Sequence, residues 1–182
     1  MKPKKKKTET RAEKRVAIAK DVISKLNKKR YEAEQGVYCA AKDIIWPEDE
    51  HTEIQTMLKG KKCNVCALGS LFVSAIDKYD KLMFDDPTFD GINSRNDTYL
   101  KRFFSGPQLD LMESAFERDH MGVDSYDYTP TKTAAVAFGC RYDFPDARLR
   151  AIMNNVIRND GKFIPPKPTK RELQELEEYG YW

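Results

Sequence analysis

Apolar residues recur at three- and four-residue intervals along most of the chain, which is the spacing of a helix with one buried face. Val16, Ala19, Val22, Ile23 and Leu26 form the first such face. Thr10 and Glu13 precede it with the spacing of a capping box, so a helix starts there and is expected to run to about Tyr31. The clearest pattern is Leu68, Leu71, Phe72, Ala75, Ile76 and Tyr79, which predicts a central buried helix over residues 67–79. Ser105, Pro107 and Gln108 read as a cap, an early-turn proline and a capping-box glutamine, with Leu109, Met112 and Phe116 on the inner face behind them. That helix should end near residues 120–122. A short helix over 131–138 is expected to stop at Gly139. Asp143, Pro145 and Asp146 then announce a longer one, with Leu149, Ile152, Met153, Val156 and Ile157 inward and Gly161 as its terminator.

The intervening segments are less regular. Residues 32–62 are broken by Gly36, Pro47 and Gly60, with an extended stretch at 37–40 and a brief helix at 52–58. Residues 85–97 form an acidic, turn-rich loop, and a short apolar segment at 99–104 follows. Pro165, Pro166 and Pro168 make a stiff connector, after which Thr169 and Glu172 repeat the capping spacing ahead of Leu173, Leu176 and Tyr179. Strand-like alternation is nearly absent and no internal repeat is visible. The fold class predicted is mainly α: a compact multi-helix domain with at most a small β-hairpin, plus a flexible basic N-terminal tail. The divisions are a disordered tail at 1–9, a helical domain at 10–165, and a C-terminal helix with an aromatic tail at 166–182.

The length of 182 residues suits one domain. A 34% share of charged residues makes a soluble surface, and no apolar run reaches the roughly 18 residues that a membrane helix requires. The lysines at the start are not followed by the apolar stretch of a secretory signal, so the cytoplasm is the expected location. The net charge of +3 conceals an asymmetry. Residues 1–30 carry thirteen Lys or Arg against three acids, leaving the remainder at 19 against 26. Lys4, Lys5, Lys6 and Lys7, with Arg11, read first as a solvated charged tail, since lysine runs at termini are common. An electrostatic arm able to meet nucleic-acid phosphates is the alternative. No aromatic residue occurs before Tyr31, so the arm carries no stacking platform.

Four cysteines are too sparse for a disulfide framework. Cys39, His51, Cys63 and Cys66 follow a C-x11-H-x11-C-x2-C spacing that could hold zinc, though the same thiols suit an apolar interior. Otherwise no cofactor is indicated. Cys63 and Cys66 at a helix start, near Lys59, Lys61 and Lys62, also form a candidate for a reactive thiol, although neither His51 nor His120 is placed beside them and no preceding strand is expected. Residues 86–97 follow part of a calcium-loop rhythm, with Asp86, Asp90, Gly91 and Asp97, but Thr88 and Asn93 break it. Tyr126, Tyr128, Tyr181 and Trp182 are candidate partner-binding aromatics, with Trp182 equally suited to completing the core. The chain shows no Ser/His/Asp set, phosphate loop or dinucleotide fingerprint.

Four phrases carry a resemblance: Arg15-Val-Ala-Ile-Ala-Lys-Asp-Val22, Cys63-Asn-Val-Cys-Ala-Leu-Gly-Ser-Leu-Phe72, Phe103-Phe-Ser-Gly-Pro-Gln-Leu-Asp-Leu-Met-Glu-Ser-Ala-Phe116 and Arg148-Leu-Arg-Ala-Ile-Met-Asn-Asn-Val-Ile-Arg-Asn-Asp-Gly161. Together, over residues 14–165, they resemble a family of uncharacterised proteins of tailed bacteriophages and prophages that share the Cys-Ala-Leu-Gly core. The lysine-rich tail departs from that pattern. The resemblance transfers no activity. It implies a phage accessory protein that binds host machinery, as an inhibitor or counter-defence factor, with a host protein or nucleic acid as partner and no membrane. A cysteine-dependent enzyme or a small zinc-binding protein is the alternative.

Overall fold

The computed structural model describes residues 8–42, 53–79, 82, 97–118 and 129–178. Lys4 to Lys7, His51, His120, Tyr126, Tyr128, Tyr181, Trp182 and residues 86–96 of the calcium-like loop lie outside them. The described residues form eight helices and three short strands, so the domain is mainly α.

Helix α1 (Arg11–Asn27) opens on the expected capping box: Glu13 N–H donates to Thr10 Oγ1 at 3.1 Å, and Thr10 N–H to Glu13 Oε2 at 2.7 Å. It ends four residues before Tyr31, because Lys29 turns into the left-handed region at φ 53° and Tyr31 begins a strand. Strands β1 (Tyr31–Ala33), β2 (Cys39–Ala41) and β3 (Cys63–Val65) make one sheet in the order β1-β3-β2, with β3 parallel to β1 and antiparallel to β2. The β component is thus a mixed three-stranded sheet. At three residues each, the strands are too short to show alternation. Helix α2 (Ile54–Leu58) is the brief helix expected. Its first N–H donates to the Leu82 carbonyl at 2.8 Å.

Helix α3 (Ala67–Tyr79) has the predicted bounds, and all ten residues from Ala67 to Ile76 are buried. It packs on α1, α2, α4 (Asp97–Leu100) and α5 (Gly106–Glu117). Ser105 is the N-cap of α5, but Gln108 does not close a capping box. Its side chain instead holds both backbone groups of Phe163, donating to the carbonyl at 3.1 Å and accepting the N–H at 2.6 Å. The helix stops at Glu117, short of the expected end, because Arg118 adopts φ 57°.

Helix α6 (Pro130–Cys140) continues through Gly139. A β-carbon there would lie 1.8 Å from the Ala115 carbonyl oxygen, so this glycine permits close approach to α5 and does not end the helix. Helix α7 (Pro145–Arg158) is N-capped by Phe144, not Asp143, and Gly161 at φ 82° turns the chain just beyond it, against Ala12 and Arg15 of α1. Helix α8 (Lys170–Glu178) follows the proline connector behind the expected Thr169 and Glu172 cap. Its Leu176 joins Val136, Ala137 and Cys140 in a small apolar cluster separate from the main core. Among the described residues no helix is long and apolar enough to cross a membrane.

Candidate functional site

Three features bring chemistry-bearing residues together: a thiol pair in the sheet, a buried lysine beneath an open cavity, and a basic surface at the start of α1.

Cys63 does not stand at the helix start; it opens β3, the central strand. The antiparallel register sets Cys39 opposite Val65 and Ala41 opposite Cys63, so the two cysteines sit diagonally on one face of the sheet. Both are buried. The Cys39 and Cys63 thiols interact closely; the neighbouring Cys63 and burial push the Cys39 thiol well above its ordinary range. The same interaction with Cys39 holds Cys63 below its ordinary value, against the opposing effect of burial and with help from the Arg30 and Lys25 cations. The cations acting on Cys63 are therefore these two and not the expected Lys59, Lys61 and Lys62. Cys66 is pushed up to about 12 by burial, and its Sγ accepts the Gly69 N–H at 3.5 Å just inside α3. Among the described residues no three His, Cys, Asp or Glu side chains lie close enough to hold a metal ion. Cys140 stands apart from the other three, half-buried on α6.

Lys25 is 5% exposed. Its ammonium pairs with Asp21 one turn earlier on α1 at 2.8 Å and with Asp77 on α3, and lies 5.4 Å from the centre of the Tyr31 ring. The Tyr31 hydroxyl and Ser74 Oγ share a hydrogen bond of 3.1 Å, and burial raises that phenol well above its usual range. Helical periodicity marked this face of α1 as core without accounting for a lysine within it. A cavity of about 410 Å³ opens beside this cluster, lined by Arg30, Glu53, Gln55, Thr56, Lys59 and Asp77. Cys63 is not among the lining residues, so the perturbed thiol does not face it.

The start of α1 is tied down by Arg11. Its Nε donates to the Phe103 carbonyl at 2.7 Å, and Nη2 to the carbonyls of Lys101 and Phe104 at 2.6 and 3.2 Å. The guanidinium that sequence spacing suggested for phosphate thus caps the chain that follows α4. In doing so it draws the chain at Lys101 and Arg102 to the start of α1. Lys14 lies over the Tyr79 ring at 5.4 Å and Arg102 over the Tyr99 ring at 5.2 Å. Gly161 packs against the same end of α1, at Ala12 and Arg15. Burial, and after it the nearby Arg11 charge, lower the Arg15 pKa. Burial and the neighbouring Glu9 raise the Tyr79 hydroxyl to about 12. Nothing local in the sequence could have joined Lys14 and Arg15 to Arg102, because two separate segments supply them.

No protein-family model, no curated protein and no solved structure matches the chain.

Proposed function

We propose that the protein acts by binding, and that the partner at its N-terminal pole is the phosphate backbone of a nucleic acid. The observation that carries this reading is that Lys14, Arg15 and Arg102 stand with Arg11 at the start of α1, the helix that Lys4 to Lys7 precede in sequence. A lysine run alone gives weak, diffuse attraction. Rooted on a fixed basic surface, it would add its charges to a site with a definite place on the protein. The acidic remainder of the chain would repel the polymer elsewhere and so favour this pole. In the cytoplasm of an infected host, such a protein would act on the host's nucleic acid or on a complex containing it, the setting that the phage-type resemblance implies.

The experiment is titration of full-length protein, a chain lacking residues 1–9, and a Lys101→Ala/Arg102→Ala variant against single- and double-stranded DNA and RNA at two salt concentrations. Binding should be independent of sequence, weaken steeply with salt, and show a smaller salt slope in both variants. A salt-resistant complex with one sequence, or no binding at all, would refute it. Salt-resistant capture of a host protein by an apolar surface would point to a protein partner.

A second reading, a thiol-dependent enzyme, draws on the lowered Cys63 thiol beside Lys25 and Arg30. Burial of that thiol under the sheet sets it behind the first reading, since a nucleophile must reach its substrate.

A further inference from the structure

We infer that the cavity between the end of α1, α2 and α3 binds a small phosphate-bearing anion, at a site distinct from the N-terminal pole. Arg11 and Arg30 bracket α1, whose 17 residues span about 25 Å, so a ligand at one end does not contact the other.

Arg30 is held at the junction of α1 and the sheet, where its N–H donates to the Lys25 carbonyl and its own carbonyl accepts the Cys63 N–H, both at 2.9 Å. Its Nε is buried and has no hydrogen-bond partner among the described residues. A buried guanidinium nitrogen without an acceptor is uncommon in a finished interior, and Arg30 meets the cavity through the rest of its side chain. Lys59, at the C-terminal end of α2, lines the same cavity, and neither cation forms an ion pair among the described residues.

The carboxylate facing them from α3, Asp77, is committed to Lys25, and its backbone carbonyl accepts from Gln55 Nε2 at 3.0 Å, which fixes α2 against α3. Thr56 adds a hydroxyl to the wall. Two cations and a hydroxyl around about 410 Å³ suit a compact oxyanion, bound through the planar fork of the arginine and the point charge of the lysine. Glu53 on the same wall limits how much further negative charge the cavity can accept, which selects a small ligand over a polymer.

The chemistry is shared by free phosphate and by the phosphoryl group of a mononucleotide, and the test separates them. Full-length protein is titrated with inorganic phosphate, pyrophosphate and adenosine monophosphate, followed by calorimetry and phosphorus NMR. One saturable site is expected. Arg30→Gln and Lys59→Gln should each weaken it by about tenfold or more, Arg30→Lys should keep part of the affinity, and Lys162→Gln should leave it unchanged. Equal affinity for phosphate and the nucleotide would identify a free-anion site; a nucleotide preference of about tenfold would identify a nucleotide site.

Lys59 is exposed, so its variant carries the test if the Arg30 variant does not fold. No saturable binding of any of the three, or binding undiminished in the Arg30→Gln/Lys59→Gln protein, would overturn the inference and leave Arg30 as a counter-charge to the Asp21, Lys25 and Asp77 triad. Loss of nucleic-acid binding on removing residues 1–9, with phosphate binding intact, would separate this site from the N-terminal pole.

Discussion

Arg148, fully buried on α7, donates through Nη1 to the Phe116 carbonyl at the end of α5, at 2.5 Å. The same guanidinium reaches the Tyr142 carbonyl at 3.0 and 3.2 Å and the Asp143 carbonyl at 3.2 Å. One side chain therefore holds the last turn of α5, the α6–α7 connection and the start of α7 in a single arrangement. Replacing it by Met should cost about 3 kcal/mol or more, because several buried carbonyls lose a charged donor at once. Arg148→Lys should rescue little, since an ammonium cannot match the planar fork. Urea denaturation measures both; a loss under about 1 kcal/mol for the Met variant would show that water replaces the guanidinium.

Lys25 gives a second stability test, with the opposite expectation for its double variant. Lys25→Met alone leaves Asp21 and Asp77 facing each other without their shared cation and should destabilise by about 3 kcal/mol or more. Lys25→Met combined with Asp77→Leu should recover a large part of that loss, because an apolar pair needs no counter-charge. Additive losses in the double-mutant cycle would mean that the two residues act independently.

Helix α8 is fastened by Arg141, which grips Glu172 through two bonds of 2.6 and 3.1 Å. The Arg141 bond, opposed by modest burial and assisted by Thr169, lowers the Glu172 carboxyl from its ordinary 4.5 to about 2. A depressed carboxylate contributes its stability above the unfolded value and loses it as pH falls through the folded one. Contact between α8 and α6 should therefore persist down to about pH 3 and fail nearer pH 2. Hydrogen exchange of the α8 amides reads this directly. Opening between pH 5 and 4 would contradict it, and Glu172→Gln should loosen α8 at neutral pH with little change in the main unfolding transition.

The thiols differ in access, so alkylation followed by mass spectrometry should mark Cys140 first in native protein and spare Cys39, Cys63 and Cys66 until unfolding. Burial and the proton held by Cys39 both oppose reaction. Native-state modification of Cys63 below about pH 8 would instead favour the enzymatic reading. The same samples should hold less than one equivalent of zinc, and one zinc per chain lost on changing Cys39 and Cys63 to Ser would make the sheet a metal site.

Arg11 and the lysine run should separate cleanly. Removing residues 1–9 leaves Thr10 and Glu13 in place and should lower the melting temperature by no more than a few degrees. Arg11→Ala removes three bonds to carbonyls and should cost about 1 to 3 kcal/mol. If the truncation proves the more destabilising of the two, the tail packs on the body.

The helices were legible wherever an apolar face and a cap agreed, as at Thr10 with Glu13 and along Leu68 to Tyr79. Each failure has a physical cause. Gly139 was read as a terminator because a sequence cannot show that Ala115 lies against it. Gln108 carries the spacing of a cap, yet its amide found a better partner 55 residues away in Phe163. β1 and β3 are three residues long, below the length at which alternation can be seen, so the strand containing Cys63 was missed. The candidate sites suffered most, because Lys25 with Asp77, Arg11 with Phe103, and Arg30 with Lys59 are joined only by folding.

The Cys66-Ala-Leu-Gly69 phrase acquires a different meaning from its place at the head of α3. The Cys66 N–H bonds the Val37 carbonyl at 2.6 Å, its sulfur receives the Gly69 N–H, Ala67 and Leu68 are fully buried, and a β-carbon on Gly69 would fall 1.4 Å from the Tyr38 carbonyl oxygen. Every letter of the phrase thus serves the seating of a helix on an extended segment, and none presents a reactive atom. The phrase works as a folding address. Where it recurs in another chain, the first thing to look for is a helix start pressed against a neighbouring carbonyl, and shared chemistry does not follow from it.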